Sequence, residues 1–213
     1  MKGKYSALIL DLDGVICFTD RYHYLAWKSL ADELGIYFDE TINNRLRGVS
    51  RMESLEIILE RYEGQLSEQE KTELANRKNE RYRELLKNMS PEDLPDEVRD
   101  TLLDLRKRGL KLAIGSSSRN APVILERIGL GGFFDAVSDG NNITKSKPDP
   151  EVFVRAADML GLVPSQCLVV EDARAGIEAA VAGGFDSAAI GDAVKCKLAT
   201  YELTRFSDLL NIA

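Results

Sequence analysis

The stretch Ala7–Val15, which reads ALILDLDGV, decides the fold of this chain of 213 residues. Its first four residues form an apolar run typical of a short buried strand. Asp11 follows at the carboxyl end of that strand, Asp13 points the same way two residues later, and Gly14 permits a turn that a Cβ would resist. Open α/β sheets bind ligands at this edge, and paired carboxylates there suit magnesium-assisted phosphoryl transfer. The same pattern also occurs in calcium loops and ordinary turns.

Serine hydroxyls follow a second predicted strand, Leu110–Ile114. Ser116 and Ser118 open onto a helix predicted over Pro122–Ile128. Hydroxyls and free backbone N–H groups at a helix N-terminus form a ready phosphate site. A serine-rich turn with a helix N-cap would show the same residues.

A lysine and an acid pair follow later in the chain. Pro148 restricts Lys147 to extended conformations, and a rigidly presented ammonium suits a phosphate clamp, although a solvated loop lysine is the alternative. Glu171 and Asp172 end a predicted strand, and their mutual repulsion would be relieved by Mg²⁺. The alternative for this pair is that Asp172 caps the next helix.

Alternating strands and helices after Asp96 predict an α/β fold with a doubly wound, parallel, Rossmann-like sheet. Between the first and second core strands, residues Asp20–Asn88 instead read as nearly continuous helix, with stops at Gly35 and Gly64. The predicted core strands are Ala7–Leu10, Leu110–Ile114, Phe134–Val137, Leu168–Val170 and Ser187–Ile190.

The helical block predicts a domain inserted into the sheet domain. We expect a discontinuous α/β core domain over residues 1–16 and 90–213, and a helical-bundle cap domain over residues 17–89. Pro91 and Pro95 break any helix at the return crossing. Two linkers side by side form a natural hinge.

The charge balance argues against nucleic acid as a partner. Lys and Arg total 28, Asp and Glu total 35, and the formal net charge is −7. An anionic small-molecule substrate must therefore be attracted by a local basic cluster. The candidates for that cluster are Arg47, Arg51, Lys78, Arg119 and Lys147.

Cysteine usage and hydropathy predict a cytoplasmic protein. Cys17, Cys167 and Cys196 are an odd, sparse set typical of a reducing compartment. No apolar stretch reaches membrane-spanning length, and the first residues contain no secretory apolar region. We expect no membrane partner, and a monomer, because nothing resembles a coiled-coil seam.

The order of these motifs resembles that of the haloacid dehalogenase-like phosphotransferases over essentially the whole chain. The resemblance implies that Asp11 is a nucleophile that becomes an aspartyl phosphate and that Asp13 is the general acid and base. It further implies that Ser116 and Lys147 hold the transferring phosphoryl group. It also implies a Mg²⁺ site made by Asp11, the Asp13 backbone carbonyl, Asp172 and, in support, Glu171.

Within that superfamily, the segments Gly48–Arg51 and Ser116–Pro122 resemble the β-phosphoglucomutase family. This resemblance implies interconversion of β-D-glucose 1-phosphate and glucose 6-phosphate, with glucose 1,6-bisphosphate as intermediate and activator. It implies a cap that excludes water and a second phosphate site at Arg51, Ser118, Arg119 and Asn120. The other implied substrate-binding residues are Gly48, Val49, His23, Trp27, Arg47 and Lys78.

Several residues depart from the family pattern. Cys17-Phe18 stand where Thr-Asp is more usual, and Arg47 and Arg119 stand where lysine is common. Arginine and lysine present their donors differently, so the departures bear on substrate preference more than on reaction type.

Two other functions remain open on the sequence. A sugar-phosphate phosphatase would use the same nucleophile and metal with water as acceptor. A non-catalytic sugar-phosphate-binding regulator is the second alternative. Residues 195–213 carry no motif that can be interpreted, and the isomer of the Lys147-Pro148 bond does not follow from residue type.

Overall fold

The computed structural model describes residues 4–46 and 49–213 and contains a six-stranded parallel sheet. Its strand order is β3-β2-β1-β4-β5-β6, the doubly wound arrangement that alternating strands and helices predict. The prediction of fold class is therefore confirmed. The strands are β1 Ala7–Leu10, β2 Lys111–Gly115, β3 Ala136–Ser138, β4 Cys167–Glu171, β5 Asp186–Ala189 and β6 Tyr201–Glu202.

The helices fall into a first group of four that follows β1 and a second group of four that flanks the sheet. The first group comprises α1 Asp20–Glu33, α2 Glu40–Asn44, α3 Arg51–Leu59 and α4 Glu68–Leu86. The second comprises α5 Asp96–Lys107, α6 Ala121–Arg127, α7 Glu151–Leu160 and α8 Arg174–Ala182.

Strand β1 lies at the centre of the sheet and is buried on both faces. Leu8 and Leu10 belong to one hydrophobic cluster, whereas Ala7 and Ile9 belong to another on the opposite face. Burying a leucine or isoleucine side chain contributes about 1.5–3 kcal/mol, so this strand anchors both layers. Its last residue, Leu10, pairs in register with Ile114 of β2 and Val170 of β4, which aligns the carboxyl ends of three strands.

Helices α1 to α4 share a hydrophobic cluster that is separate from those on the two faces of the sheet. Trp27 and Leu30 of α1 pack with Leu55 of α3 and Leu74 of α4. Helix α4 begins with a capping box at Ser67-Glu-Gln-Glu70, in which the serine hydroxyl accepts from the backbone N–H of Glu70. This helical layer can therefore bury apolar surface without the sheet.

Some boundaries differ from the predictions. Strand β3 starts two residues later than Phe134, because Phe133 and Phe134 form an edge-to-face pair that packs against the core before the strand begins. Strand β6 was not predicted, since its two residues are too few to show a period.

Two further sequence observations can be compared with the fold. The three cysteines are all within the described residues and are free. No helix in the described part of the chain is long and apolar enough to cross a membrane.

Candidate active site

A buried ion-paired triad occupies the carboxyl edge of the sheet. The Nζ atom of Lys147 lies 2.5 Å from Asp11 Oδ1 and 2.5 Å from Glu171 Oε1. Lys147 is 1% exposed, so the alternative of a solvated loop lysine is wrong. Asp11 follows β1 and Glu171 ends β4, so the strand register is what places both carboxylates on one ammonium. The Lys147-Pro148 peptide bond is cis.

The triad shifts the pKa values of its members in physically opposed ways. Burial alone would lower the pKa of Lys147, but the charges of Asp11 and Glu171 outweigh it and hold the pKa above its usual value. The pKa of Glu171 is raised to about 7, because burial and the charge of Asp11 together outweigh the opposing charge of Lys147. Buried carboxylates in this setting need a positive charge to remain ionised.

Three carboxylates at the same edge could hold a divalent cation. Among the described residues, one oxygen each of Asp11, Glu171 and Asp172 lies within 4.8 Å of the others. Hard carboxylate oxygens in a small cluster match the ligand preference of Mg²⁺. The residue at the cap of α8 is Ala173, not Asp172, and its backbone N–H donates to Glu171 at 2.8 Å. The donor set therefore fits a magnesium ion.

Two glycines leave room for this acidic cluster. Gly14 has a φ of +88°, which confirms the predicted turn, and a Cβ there would overlap the carboxylate of Asp172. A Cβ on Gly176, in the first turn of α8, would overlap the carboxylate of Glu171. Both glycines are thus required by close approach of an acidic side chain.

Replacing Gly176 with alanine should displace Glu171 and weaken magnesium binding. We expect a loss of roughly 10–100-fold in Mg²⁺ affinity, as for other residues that orient ligands, and a loss of about 1–3 kcal/mol in stability from overpacking. Calorimetric titration with Mg²⁺ and thermal unfolding measure the two effects. Gly131→Ala is the matched control, because a Cβ there meets only Glu126, with its nearest atom at 3.3 Å. Equal Mg²⁺ affinity in both variants would contradict this assignment.

Asp13 lies in the turn that follows β1 and faces the same cavity as the triad. Burial and, next, the charge of Asp11 raise the pKa of Asp13 to about 6, against the opposing effect of a hydrogen bond donated by Thr19. A carboxyl group with a pKa near 6 can both donate and accept a proton near neutral pH. Asp13 therefore has the properties of a general acid and base.

In the loop after β2, serine hydroxyls accept hydrogen bonds from backbone N–H groups of the turn and also line the cavity. Ser116 Oγ accepts from the backbone N–H of Ser118 at 3.2 Å, and Ser118 Oγ accepts from that of Asn120 at 3.2 Å. The N-cap residue of α6 is Asn120, which makes no side-chain cap bond. Its Nδ2 instead donates to Asn79 Oδ1 of α4 at 2.9 Å, so this side chain joins the loop to the helical layer. Ser116, Ser118 and Asn120 all line the cavity.

Two arginines from different layers face this cavity. Arg51 begins α3, and Arg119 precedes α6. Burial lowers the pKa of Arg51, and the charge of Arg119 lowers it further. Two guanidinium groups that repel each other across a cavity would be stabilised by an anion bound between them.

A second basic cluster lies between α1 and α4. Lys78 Nζ is 3.0 Å from His23 Nδ1 and lies 4.5 Å from the centre of a Trp27 ring. Burial lowers the pKa of Lys78 well below its usual range, and it lowers that of His23 as well, with the neighbouring Lys78 adding to the second effect. Lys78, His23 and Trp27 line the cavity from the helical side, as does Val49. The predicted residues Arg47 and Gly48 lie outside the described residues.

Sequence reasoning assigned no role to Asn79 or Tyr82. Both are on α4, one and four positions after Lys78, and both line the cavity. Residues four apart share a helix face, so the spacing from Lys78 was the signal that could have identified Tyr82.

The sheet edge and the helical layer enclose a cavity of about 520 Å³. Ligand pockets of this size take a small metabolite. The cavity combines a carboxylate paired with lysine, a second carboxyl group with a raised pKa, three carboxylates that fit a cation, and a pair of arginines. This set of groups can bind a phosphorylated small molecule and transfer its phosphoryl group.

The chain belongs to the haloacid dehalogenase-like hydrolase family, an enzyme family whose model matches residues 5–184. Its resemblance to β-phosphoglucomutases is also confirmed. It is 42% identical over 205 residues to the β-phosphoglucomutase of Bacillus subtilis strain 168, with 95% of this chain and 91% of that protein covered.

Two further relatives define the range of activities near this chain. The fructose-1-phosphate phosphatase YqaB of Escherichia coli K12 is 33% identical over 188 residues, covering 88% of this chain and 97% of that protein. The crystal structure of a β-phosphoglucomutase from Clostridium difficile superimposes with a TM-score of 0.91 at 36% identity, covering 96% of this chain and 93% of that one.

Proposed function

We propose that this protein is a β-phosphoglucomutase that interconverts β-D-glucose 1-phosphate and glucose 6-phosphate. The observation that carries the proposal is the repelling pair Arg51 and Arg119, which face the same cavity as Asp11 and Lys147. A phosphatase needs to bind only the phosphate that it removes, whereas a mutase must also bind the sugar's other phosphate. The Bacillus subtilis relative, a β-phosphoglucomutase at 42% identity, supports the same activity.

In the proposed reaction, Asp11 attacks the phosphoryl group of glucose 1,6-bisphosphate and becomes an aspartyl phosphate. Asp13 protonates the leaving sugar oxygen and later removes the proton from the attacking hydroxyl of the next sugar. Lys147 and Ser116 hold the transferring phosphoryl oxygens. Arg51, Ser118, Arg119 and Asn120 hold the phosphate that is not transferred.

A magnesium ion on Asp11, the Asp13 carbonyl, Glu171 and Asp172 would offset the negative charge where carboxylate meets phosphate. Lys147 already forms ion pairs with two of these carboxylates and offsets one of their two negative charges. The chain therefore supplies one fixed positive charge of its own at the position where phosphoryl oxygens arrive.

We further propose that residues 17–89 form a cap domain that closes over the core and excludes water. Water exclusion is what directs the aspartyl phosphate to a sugar hydroxyl instead of to solvent. The hydrogen bond between Asn79 and Asn120 supports this closure, because it spans the cavity from α4 to the start of α6. Three free cysteines support a reducing compartment, and we propose a cytoplasmic monomer.

The test is Mg²⁺-dependent conversion of β-glucose 1-phosphate, primed with glucose 1,6-bisphosphate, while inorganic phosphate is followed in the same sample. Formation of glucose 6-phosphate with little free phosphate is the expected result. Phosphate release that matches sugar consumption would overturn the mutase and establish a phosphatase.

Replacing Arg51 with alanine should impair binding of the phosphate that is not transferred and leave the site of the transferring phosphate intact. We expect a loss of about 100-fold in mutase turnover, because a charge-assisted contact to the distal phosphate is worth about 3 kcal/mol. Turnover of p-nitrophenyl phosphate, which has no second phosphate, should stay within about threefold of the unmodified protein. Arg127→Ala, in the last turn of α6, is the matched control. Equal losses with both substrates would contradict a distal-phosphate role for Arg51.

A sugar-phosphate phosphatase is the second candidate function. The fructose-1-phosphate phosphatase of Escherichia coli K12 covers nearly as much of the chain at 33% identity. The triad, the cation site and Asp13 would serve that reaction equally, so the phosphoryl acceptor and the need for a second phosphate site distinguish the two.

A further inference from the structure

Tyr82 is a fully buried tyrosine whose hydroxyl has no hydrogen-bond partner among the described residues. It lies near the end of α4, with its ring centre 4.1 Å from that of His23 and 4.7 Å from the ammonium of Lys78. An unsatisfied buried hydroxyl costs about 1–3 kcal/mol, and phenylalanine would fill the same space without that cost. The hydroxyl therefore does not stabilise this arrangement of the fold.

Thr19 is a second residue near the site whose hydroxyl does not make the stabilising hydrogen bond expected from its position. It is the N-cap residue of α1 and is 1% exposed, yet its hydroxyl does not cap the helix. A threonine cap normally contributes about 1 kcal/mol by accepting a backbone N–H. Here the Thr19 hydroxyl donates to Asp13 Oδ1 instead.

The two hydroxyls are neighbours. Burial raises the pKa of Tyr82 well above its usual range, the charge of Asp13 raises it further, and the nearby Thr19 hydroxyl opposes the rise. An ionised carboxylate can only accept hydrogen bonds, so the Thr19 hydroxyl must be the donor in its bond to Asp13. Its oxygen still has lone pairs that can accept a hydrogen bond from another group. The matching donor within reach is the unpaired hydroxyl of Tyr82.

We propose that Tyr82 is a positioning residue, which donates to Thr19 and so holds the Thr19–Asp13 pair in place during phosphoryl transfer. Because Tyr82 lines the cavity, we expect its hydroxyl to make this bond when a ligand fills the cavity. A chain of Tyr82, Thr19 and Asp13 would be cooperatively strengthened in a buried site. The inference rests on the proposed acid–base role of Asp13, but it holds for a sugar or for water as acceptor.

The test is Tyr82→Phe, which removes only the hydroxyl. The expected result is a roughly 10- to 100-fold fall in kcat, as for other small misplacements of a reacting group, with KM within twofold and an unfolding temperature equal to or above that of the unmodified protein. Tyr5→Phe is the matched control, because the Tyr5 hydroxyl bonds Asp186 at 2.9 Å and Tyr201 at 3.1 Å away from the cavity. This control should lose stability and keep its kcat.

A double-mutant cycle with Thr19→Val shows whether Tyr82 acts through Thr19. If it does, the double variant loses little more kcat than Thr19→Val alone. Fully additive losses would overturn the proposal, as would a Tyr82→Phe variant with kcat within twofold of the unmodified protein or with a lowered unfolding temperature. If the unmodified protein turns over neither sugar phosphates nor p-nitrophenyl phosphate, the proposed function fails instead.

Discussion

Asp11→Asn should lower turnover of β-glucose 1-phosphate by about 10⁴-fold or more, since removal of a nucleophile costs enzymes losses of this size. Asparagine keeps the size of the side chain but cannot form an acyl phosphate. The substitution also replaces the carboxylate that lies 2.5 Å from Lys147 with a neutral amide. The measurement is the coupled mutase assay together with trapping of the acid-stable, hydroxylamine-sensitive phosphoenzyme.

The matched control for this prediction is Asp104→Asn, an exposed carboxylate on α5 that pairs with Lys107. It should retain full activity, because exposed ion pairs contribute at most about 1 kcal/mol to stability and none to this chemistry. Asp11→Asn should remain folded, as judged by its circular dichroism. A folded Asp11→Asn variant that still forms a phosphoenzyme would show that another residue is the nucleophile.

Lys147→Met should be the most destabilising single change at the site. Methionine is nearly isosteric, but it leaves Asp11 and Glu171 buried beside each other without their shared ammonium. Removing one partner of a buried ion pair typically costs about 3–5 kcal/mol. We also expect a loss of roughly 10²–10³-fold in kcat, because the ammonium no longer stabilises charge on the transferring phosphoryl group. Chemical denaturation and steady-state kinetics measure the two losses.

The stability deficit of Lys147→Met should depend on pH. Burial already raises the pKa of Glu171 to about 7 while Lys147 opposes the rise, so the variant's pKa lies higher still. A carboxyl group whose pKa is raised by folding favours the folded state at low pH and loses that contribution as pH rises through the folded value. The free energy of unfolding of the variant should therefore be closest to that of the unmodified protein near pH 5, and the difference between them should be largest near pH 8.

Magnesium and a second lysine provide the controls. Millimolar Mg²⁺ should restore part of the lost stability, because it neutralises the same carboxylates. Lys111→Met should show neither effect, since its ammonium donates to a neutral group, the carbonyl of Leu160, at 2.8 Å. A deficit for Lys147→Met that is constant between pH 5 and pH 8 would contradict the charge argument.

The sheet was predictable because apolar runs that end in polar residues are a local signal. Leu8 and Leu10 alternate with Ala7 and Ile9, and the acids at 11 and 13 follow at once. The predicted start of strand β3 was wrong because Phe134 is partly buried by an edge-to-face contact with Phe133 and not by strand pairing. Local periodicity cannot separate these two causes of an apolar residue.

The site was predictable to the extent that each motif follows a strand. The motif order indicated that Asp11, Lys147 and Glu171 would lie at one edge, but not that one ammonium would bridge both carboxylates. The contacts made by the helical layer were harder to predict from the sequence. The Asn79–Asn120 bond joins residues 41 apart through the angle at which two layers meet, and no local pattern encodes that angle.

The central place of β1 in the sheet has a consequence for synthesis of the chain on the ribosome. Its partners β2 and β4 begin at Lys111 and Cys167, so the first strand to be made cannot pair on both sides until β4 has also been made. At a translation rate of about 5–20 residues per second, that wait lasts on the order of ten seconds. The helical layer, with its own hydrophobic cluster, can collapse during this time. The apolar segment that precedes Asp11 thus needs protection from aggregation while the rest of the sheet is made.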